Sequence, residues 1–198
     1  MDEVDMLILA LKARTPWDRR RAAVKLGALG AAAEKAVSAL LDALGDKDGD
    51  VRHYAGEALG RLGKSAGKAV PGLVRDLISG VPTTRDRAAH ALKKIGPAAA
   101  MAVPALVAAL ADPDAEFRRL AAQALAGIGR GADKAVSALV PLLADADINV
   151  RWTATYALGA IGPKAAKALP GLTKALRDEH PDVREGARVA IDKVQAAG

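Results

Sequence analysis

The feature that most constrains the fold is a sequence repeat with a period of 33 residues. An arginine recurs at this spacing from one end of the chain to the other, without an insertion or deletion, at Arg19, Arg52, Arg85, Arg118, Arg151 and Arg184. A repeat of this length is a single supersecondary unit, which cannot bury its apolar side alone. Neighbouring units must therefore stack on one another and share a continuous core.

Each unit reads as two helices joined by a glycine turn. In the first helix, apolar residues lie three positions apart, as in Leu158 and Ile161, so they share one helical face. The second helix carries a similar stripe, as in Val37 and Leu40. A glycine follows each first helix, and we expect it to take the left-handed C-terminal turn. These glycines are Gly30, Gly63, Gly96, Gly129 and Gly162.

The predicted fold class is all-α, a right-handed α-solenoid of two-helix repeats that forms one domain over residues 1–198. Half repeats are expected at 1–13 and 179–198. Five full repeats lie between them, at 14–46, 47–79, 80–112, 113–145 and 146–178. The high alanine content favours helix, and the aromatic content of only 3% means that small side chains must pack closely.

The repeated pattern V-R-x-x-A-x-x-A-L-x-x-I-G, followed by A-V-P-x-L-x-x-A-L-x-D, resembles the HEAT-repeat family, in particular the short bacterial type found in phycobilisome lyases. The resemblance covers nearly the whole chain. It implies a solenoid whose second helices line the concave face, where partners usually bind. It does not select a function, because such repeats serve as scaffolds, adaptors, lyase subunits and DNA-repair enzymes.

Aspartates recur at the turn that precedes most of the repeated arginines. They are Asp46, Asp112, Asp145 and Asp178, and Ser79 replaces the remaining one. Carboxylates pair well with the fixed fork of an arginine side chain. In HEAT-like proteins a similar Asp/Arg ladder ties successive units together. We therefore interpret these columns as structural, with phosphate binding by the arginines as the minor alternative.

The candidate binding face of the second helices is a lysine column interrupted by one methionine. Helical phase places this column on the side opposite the apolar stripe, together with a second column that contains Arg75 and Lys174. The candidate residues are Lys35, Lys68, Arg75, Met101, Lys134, Lys167 and Lys174. The non-functional explanation is inheritance from a duplicated unit together with a contribution to solubility. The functional alternative is a groove for an anion or nucleic acid, although the column lacks the aromatic residues that usually stack on bases.

Two aromatic residues, Trp152 and Tyr156, lie four positions apart in one first helix, opposite its buried Leu158 and Ile161. They form a candidate convex aromatic patch that could anchor a partner. The alternative is that both rings pack down over the adjoining unit, because tryptophan is seldom left fully exposed.

The N-terminal helix offers a candidate end contact at Met6 and Leu9, where the other second helices have small or polar residues. Because 198 is six times 33, a second copy could continue the repeat in phase. Head-to-tail association is therefore one hypothesis. We favour the other, a monomer in which the atypical terminal segments are caps.

No catalytic, cofactor-binding or metal-binding site is predicted. The chain has no cysteine, and its three histidines are scattered without metal-ligand spacing. We expect no membrane partner, since no apolar run approaches the length of a membrane span, and a cytoplasmic location. The net charge of +6 is too diffuse to require a nucleic acid.

The preferred function is a non-enzymatic scaffold or adaptor that binds another protein on the concave face of the second helices. The first alternative is a binder of nucleic acid or another polyanion through the lysine column. Further alternatives are a phycobilin-lyase-like subunit, which would need a companion chain, and an engineered repeat scaffold.

Overall fold

The computed structural model describes residues 1–79 and 81–196, and these ranges are helical and contain no strand. The α-helices are α1 (Glu3–Ala10), α2 (Pro16–Leu29), α3 (Val37–Ala43), α4 (Gly49–Leu62), α5 (Lys64–Gly67), α6 (Val70–Leu77), α7 (Pro82–Ile95), α8 (Val103–Ala109), α9 (Ala115–Ile128), α10 (Val136–Leu139), α11 (Ile148–Ile161), α12 (Leu169–Ala175) and α13 (Pro181–Gln195). The predicted all-α repeat of paired helices is confirmed. The predicted unit boundaries that fall on Gly80 and on residues 197–198 lie outside the described residues.

The helices form two layers. The long first helices α2, α4, α7, α9, α11 and α13 pack side by side in chain order, and the short second helices lie on one side of them. Successive long helices make extensive contacts, which are sparsest between α4 and α7, whereas successive second helices touch each other much less. The first-helix layer is therefore the continuous part of the structure.

The glycine that ends each first helix has a positive φ, between +53° and +72°. Its ψ lies between −120° and −144°, so it is not in the left-handed helical conformation that the sequence led us to expect. These angles are those of the first central residue of a type II′ turn. Because they mirror extended backbone, a side chain is disfavoured there even more strongly than in a left-handed helical cap.

A 3₁₀ segment precedes the second helix in most units. In four units a seven-residue 3₁₀ segment separates the glycine from the second helix, at Gly30–Ala36, Gly96–Ala102, Gly129–Ala135 and Gly162–Ala168. Lys35, Lys134 and Lys167 therefore lie near the ends of 3₁₀ segments, whereas Lys68 directly follows α5. In the fourth unit the second helix continues from α10 into a further 3₁₀ segment, Pro141–Ala144.

The core is built from the predicted stripes and from unusually close helix contacts. Leu158 and Ile161 are fully buried. A β-carbon on Gly127 would lie 2.5 Å from the Lys93 carbonyl oxygen in the preceding long helix, which is closer than real β-carbons come. Glycine and alanine thus let the long helices approach until their backbones nearly touch, and dense packing replaces the missing aromatic residues.

The predicted ladder of arginines and aspartates is confirmed. Four ion pairs, each between residues 27 apart, join an arginine near the start of one long helix to the turn before the next: Arg19–Asp46, Arg85–Asp112, Arg118–Asp145 and Arg151–Asp178. Among these arginines, Arg19, Arg118 and Arg151 also donate to backbone carbonyls of the preceding turn, as Arg118 does to Asp112 and Pro113. Where Ser79 replaces the aspartate, Arg52 is exposed and bonds only to carbonyl groups among the described residues.

One stretch of the described residues, Pro82–Ala109, is long and apolar enough to cross a membrane by length and composition alone. By length and composition, the expectation that no apolar run is long enough to span a membrane is therefore wrong. In the structure this stretch is divided at Gly96, where φ is +68°, and 44% of its most apolar window is buried. It therefore forms a helix pair of the repeat.

Candidate binding surfaces

The predicted second-helix residues lie on the protein surface, and the structure brings three of them together. Lys35, Lys68 and Arg75 line one groove of about 570 Å³ between α3 and α6. Lys174 lines a second groove, of about 740 Å³, between the 3₁₀ segment Pro141–Ala144 and α12. The other three candidates, Met101, Lys134 and Lys167, are exposed near the ends of their 3₁₀ segments.

Two of these lysines already have acidic partners. The Lys35 ammonium lies 2.5 Å from carboxylate oxygens of both Asp2 and Asp5, and these hydrogen bonds raise the pKa of Lys35. Lys68 donates to Glu34 at 2.5 Å, which lowers the pKa of Glu34. Much of the positive charge in the first groove is therefore balanced within the chain, which weakens the case for an anionic partner there.

The aromatic pair forms a half-exposed shelf on the first-helix layer. The rings of Trp152 and Tyr156 are stacked, with an interplanar angle of 7° and 5.9 Å between centroids. The exposed fractions are 42% for Trp152 and 50% for Tyr156. Neither sequence-based alternative describes the pair completely, because the rings lean on each other and leave half of their surface open.

These rings line a groove of about 420 Å³ between α11 and α13. Its floor is narrow: a β-carbon on Gly159 would lie 3.1 Å from the Ala190 backbone, and one on Gly186 would collide with Thr155 Oγ1. The Thr155 hydroxyl itself donates to the Trp152 carbonyl at 2.7 Å. Small residues therefore keep the base of the groove closed and leave the rings at its rim.

The sequence-based reasoning missed the α13 wall of this groove. That wall contains Asp182, Glu185, Val189 and Lys193. The repeat itself carried the signal, because Glu185 and Val189 lie 33 positions after Trp152 and Tyr156. Residues in one column of a solenoid become neighbours when their units stack.

The predicted end-contact residues are exposed, with fractions of 51% for Met6 and 59% for Leu9. Met6 lines a groove of about 430 Å³ between α1 and α2, together with the charged residues Asp18, Arg21 and Lys25. In the other five long helices the column of Lys25 is always a buried alanine: Ala58, Ala91, Ala124, Ala157 and Ala190. A long helix packed against α2 at this position would bury a lysine.

The opposite end of the stack is charged in a similar way. Arg188 on α13 occupies a column that is small and buried in every preceding long helix: Ala23, Gly56, Ala89, Ala122 and Thr155. Its guanidinium lies 2.6 Å from Glu185 and 3.6 Å from Asp192. End-to-end stacking of two copies would have to remove this ion-pair network from water, which is costly.

The three histidines lie in different helices: His53 in α4, His90 in α7 and His180 at the N-cap of α13. The described residues contain no group of three or more metal-ligating side chains. His53 lies 3.6 Å from Glu57 within α4, and His180 caps α13 by accepting the Asp182 amide proton. Both contacts are local to one helix and have ordinary structural explanations.

The fold and its surface grooves define an α-solenoid of stacked helical pairs. Residues 4–93 and 103–192 match the family model described as HEAT repeats. These two stretches cover most of the chain, so the protein belongs to the HEAT-repeat family, as its repeated pattern suggested.

Several solved structures are similar over almost the entire chain. An engineered protein has 29% sequence identity and a TM-score of 0.62, covering 100% of this chain and 98% of that one. A chain from the complex of CpcE and CpcF of phycocyanin lyase, from Nostoc sp. PCC7120, has 25% identity and a TM-score of 0.55, covering 98% and 77%. A designed armadillo repeat protein in complex with the peptide (KR)4 has 20% identity and a TM-score of 0.61, covering 98% and 100%, which concerns the fold alone. A search of curated protein sequences gives no significant match.

Proposed function

We propose that this protein is a non-enzymatic scaffold that binds another protein through the groove between α11 and α13. One observation carries the proposal: a chain with 3% aromatic residues keeps a stacked, half-exposed Trp152–Tyr156 pair at the rim of an apolar groove. Tryptophan and tyrosine are the residues that most often dominate binding energy at protein interfaces. A half-exposed stack of this kind offers a partner a large apolar area at a small entropic cost.

The second-helix face remains a second proposed surface. Membership of the HEAT-repeat family supports partner binding along a face of the solenoid. The similarity to a chain of the CpcE and CpcF complex supports a function that requires a companion chain. Arg75, Lys134, Lys167 and Lys174 make no ion pair within the described ranges and are the residues that would receive an acidic partner. A chain without cysteine is suited to the reducing cytoplasm, where we place it.

A displayed library of random peptides, selected against the purified protein, tests the proposed function. We expect enrichment of sequences with a large apolar side chain, and loss of their affinity by roughly 30-fold or more in Trp152→Ala/Tyr156→Ala, since interface aromatics often contribute 2 kcal/mol or more. The matched control is Trp17→Ala, which removes the other exposed tryptophan and leaves the groove intact. Peptides that bind the double variant as well as the wild type would show that the aromatic groove is not the binding site.

We expect the protein to be a monomer, because Lys25 at one end of the stack and Arg188 at the other lie where a further long helix would have to pack. Analytical ultracentrifugation over a concentration series should give one monomer mass throughout, and Met6→Lys should leave it unchanged. A mass that rises with concentration in the wild type and not in Met6→Lys would instead establish head-to-tail association through α1.

A further inference from the structure

The groove between α11 and α13 has opposite charges at its two ends. Asp182 lies in the first turn of α13 and Lys193 in its last turn, and both line the groove. These two positions are eleven residues apart, which corresponds to about 16 Å along a helix. Glu185 adds a second carboxylate at the acidic end, although it already pairs with Arg188. The Lys193 ammonium makes no ion pair among the described residues and lies 6.0 Å from the centre of the Tyr156 ring.

The middle of the groove is apolar. Trp152 and Tyr156 form one side, and Val189, which is 36% exposed, lies on the other. An occupant that matches this surface therefore needs an apolar side chain between one basic and one acidic side chain. Each of the three contacts is complementary to a different part of the groove, which is what gives a binding site its direction and selectivity.

The width of the groove favours an extended chain over a helix. The helices that form it approach within backbone contact at Gly159 and Ala190, so they are adjacent neighbours in a packed layer. A helix with its side chains is about 10 Å wide and would rest on top of such a groove. An extended chain is narrower and rises about 3.3 Å per residue, so positions i and i+4 lie about 13 Å apart on the same face.

We propose that this groove binds an extended segment of a partner protein in which a basic, an apolar and an acidic side chain occupy positions i, i+2 and i+4. The basic side chain meets Asp182, the apolar one packs on the Trp152–Tyr156 shelf, and the acidic one meets Lys193. This inference rests on the proposed function and adds the chemistry of the partner.

The test measures binding of three short acetylated and amidated peptides: Arg-Thr-Leu-Thr-Glu, Arg-Thr-Leu-Thr-Arg and Glu-Thr-Leu-Thr-Glu. Peptides of five residues are too short to form stable helices. The measurements use the Trp17→Phe background, in which Trp152 is the sole tryptophan and its fluorescence reports the groove directly. We expect the mixed peptide to bind about fivefold more tightly than either of the others, since an exposed ion pair contributes up to about 1 kcal/mol.

Charge reversal at Lys193 gives the decisive comparison. Lys193→Glu should reverse the preference, so that the peptide with two arginines binds best. Lys134→Glu changes the net charge by the same amount in the other layer and should leave the preference unchanged. Equal binding of all three peptides, or a preference that Lys193→Glu does not alter, would overturn the inference about charge.

The two proposals fail in distinguishable ways. The library selection depends on the aromatic pair and makes no assumption about charged side chains. If it succeeds while the three peptides bind equally, the groove is a protein-binding site without the proposed charge pattern. If no peptide changes the Trp152 emission and selected sequences also ignore Trp152→Ala/Tyr156→Ala, both proposals are wrong.

Discussion

Replacing Asp145 with asparagine is expected to lower the free energy of unfolding by about 3 kcal/mol, the lower end of the cost of breaking a buried ion pair. Arg118 donates two hydrogen bonds to this carboxylate, at 2.9 and 2.8 Å. The exposed side-chain fractions are 16% for Arg118 and 11% for Asp145, so the variant leaves a largely buried cation without its counter-charge. Asparagine keeps an acceptor for the Asp147 amide, which isolates the effect of charge. Urea denaturation followed by circular dichroism gives the value.

Asp178→Asn is the matched control for this prediction. Arg151 also bonds to Glu179 at 3.0 Å, so it retains one carboxylate when Asp178 is neutralised. We expect Asp178→Asn to cost about half as much as Asp145→Asn, since the cost comes from leaving a charge unpaired. Equal losses in the two variants would contradict this explanation.

The difference between Asp145→Asn and the wild type should depend on pH. Burial by itself would raise the pKa of Asp145, but hydrogen bonds from Arg118 and from the Asp147 amide outweigh it and hold the pKa below its usual value. A carboxylate with a lowered pKa in the folded state contributes stability above its unfolded pKa of about 3.9. The difference should thus be constant between about pH 5 and 7 and shrink below about pH 4, as the folded pKa is approached.

Periodicity predicted the helical architecture because the constraint on each unit is local. The Leu158–Ile161 spacing and the glycine at 162 define a helix and its end without reference to distant residues. The glycine conformation and the 3₁₀ segments were not predicted, because they depend on how closely the second helices pack against the first helices. Small differences in backbone geometry of this kind leave no mark in an apolar pattern.

The binding surfaces were predicted less completely, because they depend on pairs of units. Trp152 and Tyr156 are conspicuous in the sequence of one helix. The groove beside them forms only where α13 packs against α11, and α13 contributes Asp182 and Lys193. The lysine column was predicted to face solvent, and it does, yet the pairing of Lys35 with Asp2 requires the packing of α1 against the first unit. The lysines of this column therefore differ in their surroundings: Lys35 and Lys68 have acidic partners, whereas Lys134 and Lys167 make no ion pair among the described residues.

Leu125→Ala is expected to lower the free energy of unfolding by about 3 kcal/mol, within the usual range for a buried leucine in a dense core. Leu125 is fully buried in α9, which packs between α7 and α11. The neighbouring helices α7 and α11 are themselves tightly packed. They can therefore move little to fill the cavity that the substitution leaves. The control is Leu176→Ala, at a leucine 38% exposed after α12, which should cost about 0.5 kcal/mol.

The same variant tests whether the array unfolds as one block. Trp17 lies in α2 and Trp152 in α11, so single-tryptophan versions report the two halves of the chain separately. A few units of a solenoid cannot bury their apolar faces without neighbours, so Leu125→Ala should lower both urea midpoints together. The weakest junction is between α4 and α7, where the contacts are sparse and Arg52 lacks an aspartate. If Leu125→Ala moves the Trp152 midpoint and leaves that of Trp17 unchanged, the stack is two blocks that part at this junction.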